Sequence, residues 1–265
     1  MLRRWGILLA MLTLVVGAAL TASSASAAGS ASAATMGFRP GGPIHLVGAS
    51  PNLRGGISHQ AESTNWSGYA ATTGTYTSVS ASWTEPSGIC SRGSQYSSFW
   101  VGLDGYSSGS VEQTGSDTDC SGGRAVYYAW YEMYPNPSFS YTNTVRPGDR
   151  FNASVTYVGS NKFNLFIQDA TQGWSHTTTG TLAGAARSSA EVIIEAPCCT
   201  GSGGILPLAD FGTVNISGSM ANRSALGNAG GVTQIIMIDN SGRDKDTVSS
   251  LVGGESFSAT WVRSN

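Results

Sequence analysis

Histidine is scarce in this chain, and its scarcity excludes several kinds of catalytic site. The sequence has 3 histidines in 265 residues. Two of them, His45 and His59, lie in a segment before residue 62 that we expect to be removed, so the mature chain would keep only His176. A catalytic serine would have to use His176, and no G-x-S-x-G motif lies near a predicted strand end. A zinc site built from histidines needs more than one, and the cysteine spacings fit no zinc pattern. Phosphate-binding and dinucleotide-binding glycine motifs are also missing, so the sequence implies neither a metal ion nor a cofactor.

Charged residues are few as well, and this bears on partners and medium. Lysine and arginine total 14, aspartate and glutamate total 16, and the formal net charge is −2. Because the basic residues are scattered, nucleic acid is not an expected partner. A fold with few ion pairs loses little stability when its carboxylates protonate, so the composition is compatible with an acidic medium.

Residues 1–28 are typical of a secretory signal peptide. Arg3 and Arg4 precede an apolar run from Trp5 to Leu20, and small-residue cleavage sites follow it. The run is too short for a membrane anchor and has no stop-transfer flank. We therefore expect a secreted, extracellular protein that has no contact with a membrane after the signal is removed.

Residues 29–61 are rich in glycine, proline and serine and show little hydrophobic periodicity. This composition fits either a linker or a pro-region that is removed after export. We expect a pro-region, with the mature N-terminus between about residues 55 and 65.

Residues 62–265 are long enough for one domain with a single core, and helix signals are almost absent. Short segments rich in threonine, valine and aromatic residues alternate with glycine, serine and asparagine, which predicts an all-β sandwich or barrel. The predicted strands are 69–73, 76–83, 97–103, 126–134, 150–157, 162–169, 175–181, 191–195, 210–216, 233–239 and 256–263.

The segment 190–195 is the most informative of these strands. Side chains alternate across a strand, so Glu191, Ile193 and Glu195 share one face, while Val192 and Ile194 share the other. The Val192 and Ile194 face is predicted to be core, which puts both carboxylates on the opposite, wetter face. Those carboxylates form either an ordinary solvated surface or part of a functional site.

Three further stretches have the same character. A strand that runs into a turn at Gly105 is followed closely by a second strand, Ser110–Gly115, so the two are predicted to pair as a hairpin. Alternation puts Trp130, Glu132 and Tyr134 on one face of another strand. Aromatic rings around a carboxylate suit a groove for an extended substrate, although an ordinary amphipathic strand has the same pattern.

The chain has four cysteines, and disulfides are expected in an exported protein. Four cysteines allow three pairings. We predict a bridge between Cys90 and Cys120, which leaves Cys198 and Cys199 as a bridge between neighbours or as free thiols.

Five motifs, taken in order, resemble those of the glutamic peptidases, or eqolisins: Asn65–Gly68, Trp100–Gly105, Gln113–Gly115, Trp130–Pro135 and Ala190–Glu195. The resemblance extends from Asn65 to about Asp239. It implies a concanavalin-like sandwich of two antiparallel sheets. It also implies that the catalytic pair is Gln113 and Glu195. The residues expected to bind substrate are Trp66, Trp100, Asp104, Glu132, Tyr134 and Glu191.

The chemistry implied by this resemblance needs only side chains. Glu195 would act as general base on a water molecule and then return the proton to the leaving nitrogen. The Gln113 amide would stabilise the oxyanion, independently of pH. The expected protein is a monomeric endopeptidase that acts in acid on polypeptide substrates.

Two alternatives remain from the pattern alone. Laminarinase-type glycoside hydrolases carry Glu-x-Asp-x-Glu on one strand, but Ile193 stands at the central position here. Residues four apart on a strand lie roughly 13 Å apart, whereas retaining glycosidases need carboxyl groups about 5 Å apart. A non-catalytic carbohydrate-binding sandwich would use the aromatic residues and leave Gln113 and Glu195 without roles.

Overall fold

The computed structural model describes residues 42–49, 60–91, 93–198 and 204–265. The predicted signal peptide and most of the predicted pro-region lie outside these residues. In the described parts of the chain, no helix is long and apolar enough to cross a membrane. The elements are one 3-10 turn, Leu226–Asn228, and the strands β1 Leu46–Ala49, β2 Gln60–Ser63, β3 Trp66–Ala71, β4 Ser78–Thr84, β5 Ser98–Leu103, β6 Val111–Ser121, β7 Arg124–Tyr134, β8 Phe139–Ser140, β9 Arg150–Gly159, β10 Lys162–Asp169, β11 Trp174–Thr181, β12 Ala190–Glu195, β13 Thr213–Ala221, β14 Ser224–Ala225, β15 Val232–Met237, β16 Asp246–Val248 and β17 Phe257–Trp261.

The strands form two sheets. One has nine strands in the order β1-β2-β15-β3-β12-β5-β6-β7-β8, and the other contains β11-β10-β9-β4-β13-β17-β16 with β14 beside β13. Among the described strands, all pairings are antiparallel except that of β2 with β15. The all-β class and the sandwich of two sheets are confirmed. Strand β12, the segment singled out in the sequence, lies at the centre of the nine-stranded sheet.

The core between the sheets follows from period-two alternation. On β9, Phe151, Ala153 and Val155 are buried in the core, whereas the residues between them are partly exposed. Trp83 of β4 stacks on Phe151 with ring centroids 5.7 Å apart. This alternation explains why the long amphipathic strands were predicted close to their observed limits.

Strand β6 is longer than the predicted segment, because it continues through Ser116 to Ser121. This second half is polar, and Thr118 is its only β-branched residue, so little in its composition indicates a strand. Its side chains are nevertheless buried except for Ser121, and the hydroxyl groups of Ser116 and Thr118 each donate a hydrogen bond to the buried Glu85 carboxyl group at 2.5 Å. Glu85, the residue that follows β4, therefore provides polar partners in place of the apolar packing on which the strand prediction depended.

The predicted disulfide is confirmed. Cys90 and Cys120 are bonded, with their Cα atoms 5.4 Å apart, and they join the segment before β5 to the end of β6. Cys198 is also disulfide-bonded. Cys199 lies outside the described residues, so the prediction for its pairing stays open.

Part of the predicted pro-region belongs to the nine-stranded sheet. Strand β1 pairs antiparallel with β2, and β2 begins at Gln60, just before the predicted domain boundary. Residues 42–45 precede β1 and run along the face of the sheet that is turned away from the core, where Ile44 packs against other apolar side chains. We call this face the outer face.

Candidate active site

The register of the central strands determines which side chains meet on the outer face. On β12, Val192 and Ile194 lie in the core, as predicted, and Ile193 packs in a separate apolar cluster on the outer face. Alternation puts Glu191 and Glu195 on this face too. Glu195 lies opposite Trp66 of β3 on one side.

The same register continues across β5, β6 and β7. Ile193 lies opposite Trp100, whose partner is Gly115. Glu191 lies opposite Gly102, which pairs with Gln113, and Gln113 pairs with Glu132. The predicted hairpin of β5 and β6 is confirmed. Side chains from four consecutive strands are thus assembled on the outer face.

The outer face is not the wetter face that the sequence suggested, and that prediction was wrong. Glu191 and Glu195 are both 0% exposed. The reason is a second apolar cluster that fills this face and excludes water from the carboxyl groups. The cluster consists of Trp66, Ala70, Trp100, Val111, Trp130, Ile193 and Ile235, with Ile44, Tyr106, Tyr128 and Tyr134 packed against it.

Glu195 is held within this cluster by Trp100. The indole Nε1 of Trp100 donates a hydrogen bond of 2.8 Å to Oε2 of Glu195. Burial raises the pKa of Glu195 well above its usual value, and the nearby carboxyl groups of Glu132 and Asp117 raise it further, whereas the bond from Trp100 lowers it. The pH at which Glu195 gains or loses its proton therefore depends on how deeply it is buried and on the charges and hydrogen bonds around it.

Gln113 is also fully buried, and its amide is oriented by Glu132. Nε2 of Gln113 donates a hydrogen bond of 2.8 Å to Oε2 of Glu132, while Oε1 of Gln113 has no partner among the described residues. The nearby carboxyl group of Glu132 in turn raises the pKa of Glu195. Gln113, Glu132 and Glu195 therefore belong to one group of interacting side chains.

The strand register alone would have paired Gln113 with Glu191 rather than with Glu195. The charged groups that act on Glu191 are different from the neighbours that the register of an untwisted sheet would give it. Burial first, and then the carboxyl groups of Asp104 and Glu112, raise the pKa of Glu191. Sheets twist, so one diagonal between neighbouring strands is shortened and the other is lengthened. Glu191 thus belongs to a second group of interacting acidic residues, together with Asp104 and Glu112.

Asp104 anchors this second group to a loop. Its backbone has φ 72°, and its carboxylate accepts hydrogen bonds from the backbone N–H groups of Arg187 and Ser188 at 2.7 and 2.9 Å. Burial, followed by the charge of Asp104, raises the pKa of Glu112 to about 8. The structure brings Asp104 together with Glu191 and Glu112.

The aromatic residues predicted to bind substrate belong to the apolar cluster of the outer face or pack against it. The ring of Trp66 packs edge-on against that of Trp100, with centroids 4.9 Å apart. Tyr134 is half-buried at the edge of the apolar cluster. These rings form the apolar part of the outer face.

Asp117 is a further buried carboxyl group on the outer face, and none of the sequence motifs includes it. This residue is buried on β6, where it accepts hydrogen bonds from Trp130 Nε1 at 2.5 Å and from the Tyr128 hydroxyl at 2.7 Å. Burial raises its pKa to about 7. Asp117 pairs with Ser98, the residue opposite Glu195. Period-two alternation from Gln113 through residue 115 would have placed it on the same face.

The described residues include no set of three or more histidine, cysteine, aspartate or glutamate side chains that could hold a metal ion. What they do contain is the buried carboxyl group of Glu195 and the carboxamide of Gln113, both of which interact with Glu132. The first can take and return a proton, and the second can donate hydrogen bonds without changing its charge.

Comparisons with known proteins agree with these observations. The profile described as "Peptidase A4 family" matches residues 64–261. Aspergillopepsin-2 of Aspergillus niger is 26% identical over 256 residues, covering 87% of this chain and 89% of the relative. Scytalidopepsin B of Scytalidium lignicola is 31% identical over 156 residues, covering 56% and 57%. A crystal structure of scytalido-glutamic peptidase with a transition state analog inhibitor superimposes with a TM-score of 0.65 and 25% identity, covering 75% of this chain and 98% of that one.

Proposed function

Because the chain belongs to the Peptidase A4 family and is therefore a glutamic-type endopeptidase, we propose that Glu195 and Gln113 carry out its chemistry. The observation that supports this most strongly is the grouping of Gln113, Glu132 and Glu195 on one buried face. Its substrates are polypeptides.

Glu195 is the general base in this mechanism. It takes a proton from a water molecule that attacks the peptide carbonyl carbon, and it then gives that proton to the leaving nitrogen as the C–N bond breaks. Trp100 fixes the carboxyl group through its bond to Oε2. Proton transfer is most effective when the group works near its own pKa, so a carboxyl group suits an acidic medium.

Gln113 stabilises the negative charge that develops on the carbonyl oxygen. A carboxamide nitrogen carries two N–H groups, and Glu132 accepts only one of them. The second N–H remains for the oxyanion, and its orientation is fixed before the reaction begins. Losing one such donor typically lowers the rate by about 10²–10³-fold.

The covered state of the site opposes this activity. Burial raises the pKa of Glu195, so the covered carboxyl group holds its proton to a higher pH than an exposed glutamate does and is less available as a base in acid. Admitting water and substrate to the outer face reduces this penalty, and the pKa then moves back toward the ordinary range of a glutamate. Uncovering the outer face is therefore part of producing an active base.

The glycosidase alternative is not favoured by these contacts. It requires Glu191 and Glu195 to act on the same bond, but Glu191 interacts with Asp104 and Glu112 instead. A carbohydrate-binding module gives no reason for a buried carboxyl group beside an oriented amide. We therefore retain only the peptidase function.

We further propose that the enzyme works outside the cell. The charged and apolar pattern of residues 1–28 and the Cys90–Cys120 bridge both suit export to an oxidising compartment.

The decisive test is Glu195→Gln, which removes the base and nearly preserves side-chain volume. Digestion of a denatured protein between about pH 2 and 5 should be abolished. Glu191→Gln is the matched control and should reduce activity less. A folded Glu195→Gln enzyme that still digests protein in acid would disprove the mechanism, and equal loss in both variants would show that Glu195 has no role in proteolysis that Glu191 lacks.

A further inference from the structure

The outer face is already occupied by a short piece of the chain itself, Gly42–His45. Ile44 packs against the apolar cluster that surrounds Glu195. Its backbone N–H donates a hydrogen bond of 3.1 Å to the carbonyl oxygen of Gly105. A Cβ atom placed on the buried Gly42 would lie 3.7 Å from the ring of Tyr134. This piece of chain therefore runs across the face where a substrate has to bind.

A single buried side chain, Asn65, holds the backbone of this segment on both sides of Ile44. Oδ1 of Asn65 accepts a hydrogen bond of 2.7 Å from the backbone N–H of His45. Nδ2 of Asn65 donates one of 3.4 Å to the carbonyl oxygen of Pro43. Because an N–H group points at Oδ1, that atom must be the oxygen, and this fixes the orientation of the amide.

These contacts involve only the main chain of the bound segment. The carbonyl oxygen of His45 accepts a further hydrogen bond of 3.0 Å from the backbone N–H of Thr64, and the side chain of His45 is exposed. A planar carboxamide that bonds to both the N–H and the C=O groups of an extended chain recognises peptide without regard to sequence. Asn65 is 0% exposed, so these bonds form away from competing water.

Asn65 is also next to the candidate catalytic carboxyl group. Its own carbonyl oxygen accepts a hydrogen bond of 2.8 Å from the N–H of Ala196, which follows Glu195 in the chain. The next residue after Asn65 is Trp66, which lies opposite Glu195. A peptide held by Asn65 therefore passes close to the group proposed to activate water.

We propose that Asn65 is a main-chain clamp for the peptide substrate, acting together with the carbonyl oxygen of Gly105. The residue gripped between them places its side chain on the apolar cluster, and an aliphatic side chain such as that of Ile44 fits there. In the uncleaved chain, residues 42–45 occupy the clamp in place of substrate. This assignment rests on the proposed peptidase function, and Asn65 is a positioning residue within it.

A purely structural role for Asn65 makes different predictions. Ser63 Oγ donates to Oδ1 of Asn65 at 2.9 Å and accepts from the backbone N–H of Asn65 at 3.2 Å, so the two side chains also stabilise the turn between β2 and β3. Ile238 reports on this turn, since its N–H donates to the carbonyl oxygen of Ser63 at 2.8 Å.

Residue-resolved amide hydrogen exchange separates the two roles without any need for catalysis. In the full chain carrying Glu195→Gln, adding Asn65→Leu should speed exchange at His45 and Ile44 by about tenfold or more, with Ile238 unchanged. The control Ser63→Ala should leave exchange at His45 close to that of the parent chain. If exchange at His45 and Ile44 does not change, or if it rises equally at Ile238, the clamp is wrong.

Where Asn65→Leu does not fold, Asn65→Asp gives the same decision, because it keeps the oxygen that accepts from His45 and loses the donor to Pro43. Exchange at Ile44 should then rise while exchange at His45 changes less. If the Asn65→Asp chain and its Glu195→Gln parent show the same exchange rates at Ile44 and at His45, the proposal is contradicted.

A second experiment tests the clamp on substrate. Replacing one backbone amide of a peptide at a time with an ester removes one N–H group. For the secreted enzyme, two neighbouring ester positions away from the cleaved bond should each lower kcat/KM by about tenfold, mainly through KM, because one removes the N–H that Asn65 accepts and the other the N–H that Gly105 accepts. The Asn65→Leu enzyme should become insensitive to one of these two replacements, and retained sensitivity to both would overturn the proposal. Absence of all peptide hydrolysis would instead refute the proposed function, and the exchange experiment would still decide the clamp.

Discussion

At the scale of single residues, the site depends on how Glu132 orients Gln113. The oxyanion exists only near the transition state, so a donor aimed at it contributes to turnover more than to substrate binding. We expect Gln113→Ala to lower kcat by about 10²–10³-fold with a smaller change in KM. Steady-state kinetics on one peptide substrate would show this difference. A variant in which KM alone changes would show that Gln113 only binds substrate.

The residue Glu132 has a second effect, on the proton affinity of Glu195. Its carboxyl group raises the pKa of Glu195, while its Oε2 atom holds Gln113. Glu132→Gln keeps an oxygen acceptor for Gln113 but removes the negative charge. The pKa of Glu195 then falls, the base stays ionised to lower pH, and the acid limb of kcat/KM against pH should move to lower pH. An unchanged acid limb would contradict this electrostatic link.

At the scale of elements, β5 and β6 position Trp100 through an unusually close approach. A Cβ atom on Gly115 would lie 2.2 Å from the carbonyl oxygen of Phe99 and 2.6 Å from Cβ of Trp100. Gly115→Ala should therefore force the strands apart, lower the free energy of unfolding by at least about 2 kcal/mol, and weaken activity. Urea unfolding would measure this loss. Gly109→Ala is the matched control, since nothing lies within 4 Å of its added methyl group, and it should be nearly neutral.

The faces of the elements could be predicted from the sequence, but their burial could not. Period-two alternation correctly separated Val192 and Ile194 from Ile193. It also explains the long strands, whose limits were close to those observed. It could not show that Glu195 is covered, because the covering residues, such as Ile44 and Trp130, are remote in the chain. The division of the acidic residues into one set around Glu195 and another around Glu191 could not be predicted either, because the alternation of side chains along a strand does not show which residues meet across several strands.

At the scale of the whole molecule, buried carboxyl groups make stability depend on pH. Burial raises the pKa of Glu85 and of Glu112 to about 8 and that of Asp246 to about 7. These groups hold protons more tightly in the folded chain than in the unfolded chain, where they titrate near 4. Their contribution to stability is therefore complete below about pH 4 and is lost as the pH rises to about 8.

We consequently expect the protein to be stable in acid and to weaken through neutrality. The melting temperature should fall by several degrees or more between pH 5 and pH 8, since 1 kcal/mol corresponds to about 2–4 °C for a chain of this size. Glu85→Gln should make this fall smaller, because it removes one of the titrating groups. A melting temperature that is constant or rises over this range would disprove the assignment.

If the proposed pro-region is cleaved, the pairing of β1 with β2 determines when the segment on the outer face leaves the enzyme. A cut between Ala49 and Gln60 breaks the chain but removes none of the hydrogen bonds that join the two strands. Before the cut, the tether holds residues 42–45 at an effective concentration in the millimolar range. After it, the same residues are a separate ligand that obeys mass action, and dilution into the medium releases them. Under the proposed secretion, dilution in the extracellular medium would therefore finish the activation that the cut started.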